Sequence, residues 1–154
     1  MAAGSAPRPN DQRQRVARRA GRGPGDGGKA LMILIVDDDA AVRATIARAL
    51  AELGYAVREA ADGPGALAAV REAAVTLVIL DYVMPGMDGA EVARAIGAID
   101  PDLPIVFSTG HAALRALRAA AGDHVRVLEK PFTLDELDAL LRERLAERRS
   151  ARTG

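Results

Sequence analysis

Six apolar residues, Leu31-Met32-Ile33-Leu34-Ile35-Val36, run directly into Asp37-Asp38-Asp39. This junction limits the possible folds more than any other feature of the chain. An unbroken apolar run of strand length has no polar face to offer solvent, so it is expected between two covering layers. Helices crossing over a parallel sheet supply such layers. The run meets acid with no spacer, so the strand must deliver carboxylates to the edge of its sheet. A second stretch, Val75-Thr76-Leu77-Val78-Ile79-Leu80, leads in the same way into Asp81. A third, Ile105-Val106-Phe107, leads into Ser108-Thr109-Gly110, and a fourth, Val125-Arg126-Val127-Leu128-Glu129, into Lys130-Pro131.

Helical spacing fills the gaps. Val42, Ile46, Ala49, Leu50 and Leu53 form one stripe, stopped by Gly54. Residues 55–60 read as a weaker strand suited to a sheet edge. Asp62-Gly63-Pro64 opens a helix with Leu67 and Val70 inward, and residues 81–89 read as a loop. Asp88 and Glu91 have capping-box spacing ahead of Val92, Ile96 and Ile99. An Ala-rich helix over about residues 111–121 has only Leu114 and Leu117 as large anchors, and is expected to be loosely held. Thr133 and Glu136 box the last helix, Phe132 and Leu137 staple it, and Leu134, Leu140, Leu141 and Leu145 extend its stripe. Its charged residues 143–149 are expected to fray. Strand and helix alternate throughout, which predicts an α/β doubly wound parallel sheet of five strands with right-handed crossovers. Residues 31–36 are expected as the central strand, with the ligand site at the carboxyl ends of the central strands.

Composition narrows the function. With 154 residues, the chain suits one domain plus a tail, and it holds no cysteine for disulfides or thiolate metal sites. Tyr55, Tyr82, Phe107 and Phe132 are its only aromatics, too few for a base-stacking surface. No apolar run reaches the roughly 20 residues that span a bilayer, so a cytoplasmic protein without membrane association is expected. Residues 1–30 hold seven Lys+Arg and two Asp, against 14 basic and 19 acidic residues in the remainder. The expected organisation is a disordered basic tail at 1–30, a domain at 31–147 and a short tail at 148–154. The basic segment is either an inert arm or an over-long start ahead of Met32, with an arm for an acidic partner as the sharper reading.

Asp37, Asp38 and Asp81 would meet at one edge. Carboxylates in contact raise one another's pKa, so the grouping makes sense with a cation, and an all-oxygen site suits Mg²⁺. Lys130 can reach a phosphoryl oxygen, Thr109 offers a hydroxyl, and Gly110 permits close backbone approach. His111 and His124 lack metal-ligand spacing, and no P-loop is present. A carboxylate nucleophile attacking phosphorus fits this set.

Four segments together carry a resemblance: Ile35-Val36-Asp37-Asp38-Asp39, Leu80-Asp81-Tyr82-Val83-Met84-Pro85-Gly86-Met87-Asp88-Gly89, Ser108-Thr109-Gly110 and Glu129-Lys130-Pro131-Phe132. In order and spacing, over about residues 32–147, the chain resembles the receiver domain of two-component response regulators. The resemblance implies a flavodoxin-like (βα)5 sheet of order 2-1-3-4-5. It implies Asp81 as phosphoacceptor, with Asp38 holding Mg²⁺ directly and Asp37 largely through water. The Val83 carbonyl would complete the protein ligands. Thr109 matches the switch hydroxyl and Lys130 the family's lysine, with a cis Lys130-Pro131 bond. A sensor histidine kinase or histidine phosphotransfer protein would donate the phosphoryl group. A downstream protein, or a second copy in a homodimer, would bind the face formed by helix 4, strand 5 and helix 5.

Two departures stand out. The aromatic switch position holds Val127, so the usual coupling of threonine movement to a ring rotation cannot occur in that form. No DNA-binding or enzymatic output domain follows, so a stand-alone receiver without substrate turnover is expected. By the resemblance, Val83 and His111 match the two variable positions that tune dephosphorylation in the family. A haloacid-dehalogenase-like phosphohydrolase is the rival reading, since Asp37 and Asp39 stand two apart, but Ala41 replaces the Thr or Val wanted there. A degenerate receiver acting as a scaffold is a third reading, opposed by the intact acids, Thr109 and Lys130.

Overall fold

The computed structural model describes residues 31–86 and 88–153. The basic segment at 1–30 lies outside the described residues. The strands are β1 (Met32–Val36), β2 (Ala56–Ala60), β3 (Leu77–Asp81), β4 (Ile105–Gly110) and β5 (Arg126–Lys130). The helices are α1 (Ala40–Glu52), α2 (Gly63–Glu72), α3 (Gly89–Ile99), α4 (His111–Ala121) and α5 (Leu134–Thr153). All strand pairs are parallel, in the order β2-β1-β3-β4-β5, as expected. The middle strand is therefore β3, not β1. Both are apolar on both faces because each has a strand on either side and helices above and below. That common environment is why hydrophobic pattern alone cannot rank them.

Alternation along the strands divides the core in two. Ile33, Ile35, Leu77, Ile79, Val106 and Leu128 pack against Ile46 and Leu50 of α1 and Leu137, Leu141 and Leu145 of α5. Leu34, Val36, Val78, Leu80 and Phe107 pack against Ala66 of α2, Val92 and Ile96 of α3 and Leu117 of α4. Continued by one step of two residues, the first set of rows reaches Asp37, Asp81, Ser108 and Lys130. The second reaches Thr109. The pleat thus assigns each polar group its face before any side-chain contact is made.

Caps set the helix starts. Asp39 accepts from the N–H groups of Ala41 (2.9 Å) and Val42 (3.2 Å), Asp62 from Gly65 (2.7 Å), and Asp88 from Glu91 (2.8 Å). At α5 the reciprocal box forms: Glu136 N–H donates to Thr133 Oγ1 at 3.1 Å, and Thr133 N–H to Glu136 Oε2 at 3.4 Å.

The last helix differs from expectation. The charged end of α5 does not fray at residues 143–149, and residues 148–153 of the expected tail are helical. Leu145 is buried, Arg126 of β5 pairs with Glu143 and Glu147 at 2.8 Å, and Arg148 Nη1 donates to the Thr76 carbonyl at 2.6 Å. The charges are thus a lattice against the sheet, which a one-dimensional reading takes for a solvated run. Helix α4 buries only Leu117 of its eleven residues, with Leu114 half-buried, in keeping with its few expected anchors. Arg118 Nη1 donates to the carbonyls of Asp123 (2.9 Å) and Val125 (3.1 Å), clamping the turn at Gly122 (φ 89°). No described helix is long and apolar enough to cross a membrane.

Candidate functional site

The carboxyl edge of the sheet gathers the strand ends. Asp37 lies just past β1, Asp81 closes β3, Thr109 and Gly110 close β4, and Lys130 closes β5. Asp37, Asp81 and Thr109 are buried, at 2%, 7% and 1% exposure. Asp38, by contrast, is exposed. Carboxylate oxygens of Asp37, Asp38 and Asp81 lie within 4.8 Å of one another. Lys130 reaches across from β5, its Nζ 3.1 Å from Asp37 Oδ2 and 3.8 Å from Asp81 Oδ2. Only the bond to Asp37 is within hydrogen-bond range.

Asp81 is the electrostatic focus. Burial pushes its carboxyl from the ordinary 3.8 up to about 6. Lys130 opposes that rise, Asp37 adds to it, the Val83 N–H (3.3 Å from Oδ1) opposes it, and Asp38 adds the least. The sequence reading expected acid–acid repulsion as the cause. Desolvation is the larger one, because a β3 end flanked by β1 and β4 excludes water more completely than it concentrates charge.

The residues fit a hard divalent cation. The donors are all oxygen, one of the three acids is open to solvent, and a buried carboxyl with a raised pKa gains most from added positive charge. The Val83 backbone lies beside Asp81, as its N–H contact shows, while its side chain is exposed. Asp39 is spent on capping α1, which separates it from the acidic cluster.

Thr109 Oγ1 has no hydrogen-bond partner among the described residues, despite its burial. Val127 packs on the same core face as Phe107, and Tyr82 meets Phe107 edge-on at 6.1 Å between ring centroids. Gly110 shows no close approach: a Cβ there would meet open space. The Lys130-Pro131 bond is cis, as the resemblance implied. His111 Nδ1 lies 3.0 Å from Glu129 Oε1 at the mouth of α4, on a side chain that is exposed.

Sequence reasoning missed three supports. Arg43 Nη1 donates to the Asp37 carbonyl at 2.7 Å while its Nε pairs with Glu59 at 3.2 Å, bracing the end of β1. An arginine on a helix gives no sign of this. Ser108 is buried beside Asp81 in register, and its Oγ has no partner among the described residues. Gly89 starts α3 against the Asp81-Tyr82 backbone: a Cβ there would lie 2.8 Å from the Asp81 carbonyl oxygen and 2.7 Å from Tyr82 Cα. Gly89→Ala is therefore expected to cost about 1–3 kcal/mol of stability. Thermal denaturation checks this, and an unchanged Tm would refute it.

The fold and the placement of its charged groups put the chain in the CheY-like class of flavodoxin-like α/β domains. The model of the response regulator receiver domain matches residues 33–142. Response regulator MprA of Mycobacterium sp. (strain KMS) is 41% identical over 114 residues, 71% of this chain and 48% of that protein. Receiver protein CpdR of Brucella abortus (strain 2308) is 42% identical over 107 residues, covering 68% of this chain and 88% of CpdR. The solved structure of a response regulator receiver protein from Sinorhizobium medicae WSM419 is 33% identical with TM-score 0.70, covering 78% of this chain and 98% of that one. A receiver domain from Clostridium thermocellum has TM-score 0.73 at 25% identity, covering 79% and 98%. This chain belongs to the response regulator receiver family of two-component signalling. It spans about half the length of MprA.

Proposed function

We propose that this chain accepts a phosphoryl group on Asp81, in an Mg²⁺-dependent reaction, from a histidine kinase or a histidine phosphotransfer protein. The observation that carries the reading is Asp81 itself, a buried carboxylate within reach of a lysine and beside two further acids. An Asp81 oxygen attacks phosphorus, the P–N bond of phosphohistidine breaks, and the imidazole leaves with the electron pair and takes a proton. Asp37, Asp38, Asp81 and the Val83 carbonyl would hold the ion. Bound there, Mg²⁺ supplies positive charge against the phosphoryl oxygens.

Lys130 begins on Asp37 and can turn to a phosphoryl oxygen with a small movement. Thr109, buried without a partner among the described residues, gains one by turning its hydroxyl to the same group. Each exchange favours the phosphorylated arrangement, so phosphorylation shifts a pre-existing equilibrium in the surrounding loops and α4. Val127 leaves room for that shift without a ring rotation. The α4–β5–α5 face would carry the change to a cytoplasmic protein partner or to a second copy. The chain then acts as a switch, one phosphoryl group per molecule, without substrate turnover.

Labelling with acetyl phosphate and a phosphotransfer profile against candidate kinases test this reading. Catalytic phosphate release from many monoesters would instead favour the hydrolase. The capping role of Asp39 speaks against that rival, whose acid pair would need it. The exposed apolar side chain of Val83 cannot orient an attacking water, so the aspartyl phosphate is expected to outlast a seconds-scale lifetime. Loss of label within seconds of removing donor would refute that expectation.

A further inference from the structure

Ser108 carries a buried hydroxyl that the switch described above does not use. It is 1% exposed, and its Oγ has no hydrogen-bond partner among the described residues. A buried hydroxyl left unpaired costs about 1–3 kcal/mol, so its place in a well-packed strand calls for a reason. Position supplies one. Ser108 is the register partner of Asp81, one strand spacing of about 4.8 Å away. It continues the row of Val106, on the face where Asp37, Asp81 and Lys130 also emerge. Lys130 starts on β5 and contacts Asp37 beyond β1, so its side chain crosses β4 on the face that Ser108 occupies. An ammonium has three donors, and among the described residues only Asp37 takes one within hydrogen-bond range.

We propose that Ser108 is a positioning residue for Lys130, its Oγ accepting a hydrogen bond from the ammonium once Asp37 and Asp81 are engaged by cation and phosphoryl group. In the resting structure, among the described residues, Asp37 takes the ammonium's hydrogen bond and Asp81 stands at ion-pair distance, 3.8 Å. That anchor is lost when Asp37 turns to the cation, and a second acceptor on β4 then keeps the amine above Asp81. The buried hydroxyl is tolerated at rest because its partner arrives with the phosphoryl group.

This inference rests on Asp81 as phosphoacceptor. Ser108→Ala is expected to slow labelling by saturating acetyl phosphate about tenfold, the scale of one hydrogen bond to a charged group. The half-saturating donor concentration is expected to stay unchanged. Mg²⁺ affinity of the unphosphorylated protein should hold, and its Tm should stay level or rise, because an unpaired hydroxyl has been removed. In the beryllofluoride complex, ¹⁵N-resolved NMR should show an exchange-protected Lys130 ammonium in the wild type and its loss in Ser108→Ala. A wild-type labelling rate in Ser108→Ala overturns the proposal, as does a Tm loss in step with the rate or an ammonium signal that survives. Failure of the wild type to take label would instead strike the Asp81 reading.

Discussion

Asp81→Asn is expected to abolish labelling by acetyl phosphate and, in the metal-free protein at pH 7, to raise stability. The first effect follows from removing the carboxylate proposed above as the nucleophile. The second follows from linkage. The folded carboxyl keeps its proton up to about pH 6, whereas an unperturbed one releases it near 3.8. A proton held more tightly by the folded state stabilises it fully below about pH 4, and that contribution is lost as the pH rises through about 6. At pH 7 the wild type thus holds an ionised carboxylate in a site that disfavours it, while asparagine is neutral at every pH. The expected gain is about 1–2 kcal/mol, below the full value of a two-unit shift because the mouth of the site is solvated. Chemical denaturation of both proteins between pH 4 and 8 without metal measures it. The two curves should meet near pH 4, draw apart between about 4 and 6, and keep that gap at higher pH, the mutant higher. Saturating Mg²⁺ should raise the wild-type Tm and leave the mutant's nearly unmoved. Persistent labelling of Asp81→Asn would refute the site, and parallel pH curves would refute the origin of the raised pKa.

Lys130→Ala should separate signalling from cation binding. The ammonium lies 3.1 Å from Asp37 Oδ2 and 3.8 Å from Asp81 Oδ2, where it competes with any cation for the same oxygens. Its removal leaves Mg²⁺ affinity level or higher. The same removal deprives the phosphoryl group of the lysine poised beside it, so the partner-binding change on phosphorylation should fall at least tenfold, the scale of one charge-assisted bond. Metal-free stability should drop as well, since a buried carboxylate loses its counter-ion. Titration calorimetry with Mg²⁺ and partner binding before and after labelling read the two effects apart. Equal losses in both would contradict the assigned role.

Much of this arrangement was legible in the sequence for a simple reason. A strand covered on both faces must be apolar, so the change to Asp37 after Val36 and to Asp81 after Leu80 marks the sheet edge directly. The box of Thr133 and Glu136 is local and forms as written. The lattice of Arg126, Glu143, Glu147 and Arg148 was illegible because it joins β5, α5 and the entrance to β3. The brace from Arg43 to the Asp37 carbonyl likewise spans a helix and a strand end, as does the packing of Gly89 on Asp81.

By itself the sequence determined which residues end the strands, which acids cap helices, and the chemistry of the edge, because these depend on neighbours in the chain. Tertiary structure decided that β3 rather than β1 stands in the middle, that Lys130 rests on Asp37 more closely than on Asp81, and that burial outweighs acid–acid repulsion at Asp81. Those outcomes depend on distances across strands and on how completely water is excluded. Both are set only when the helices close over the sheet.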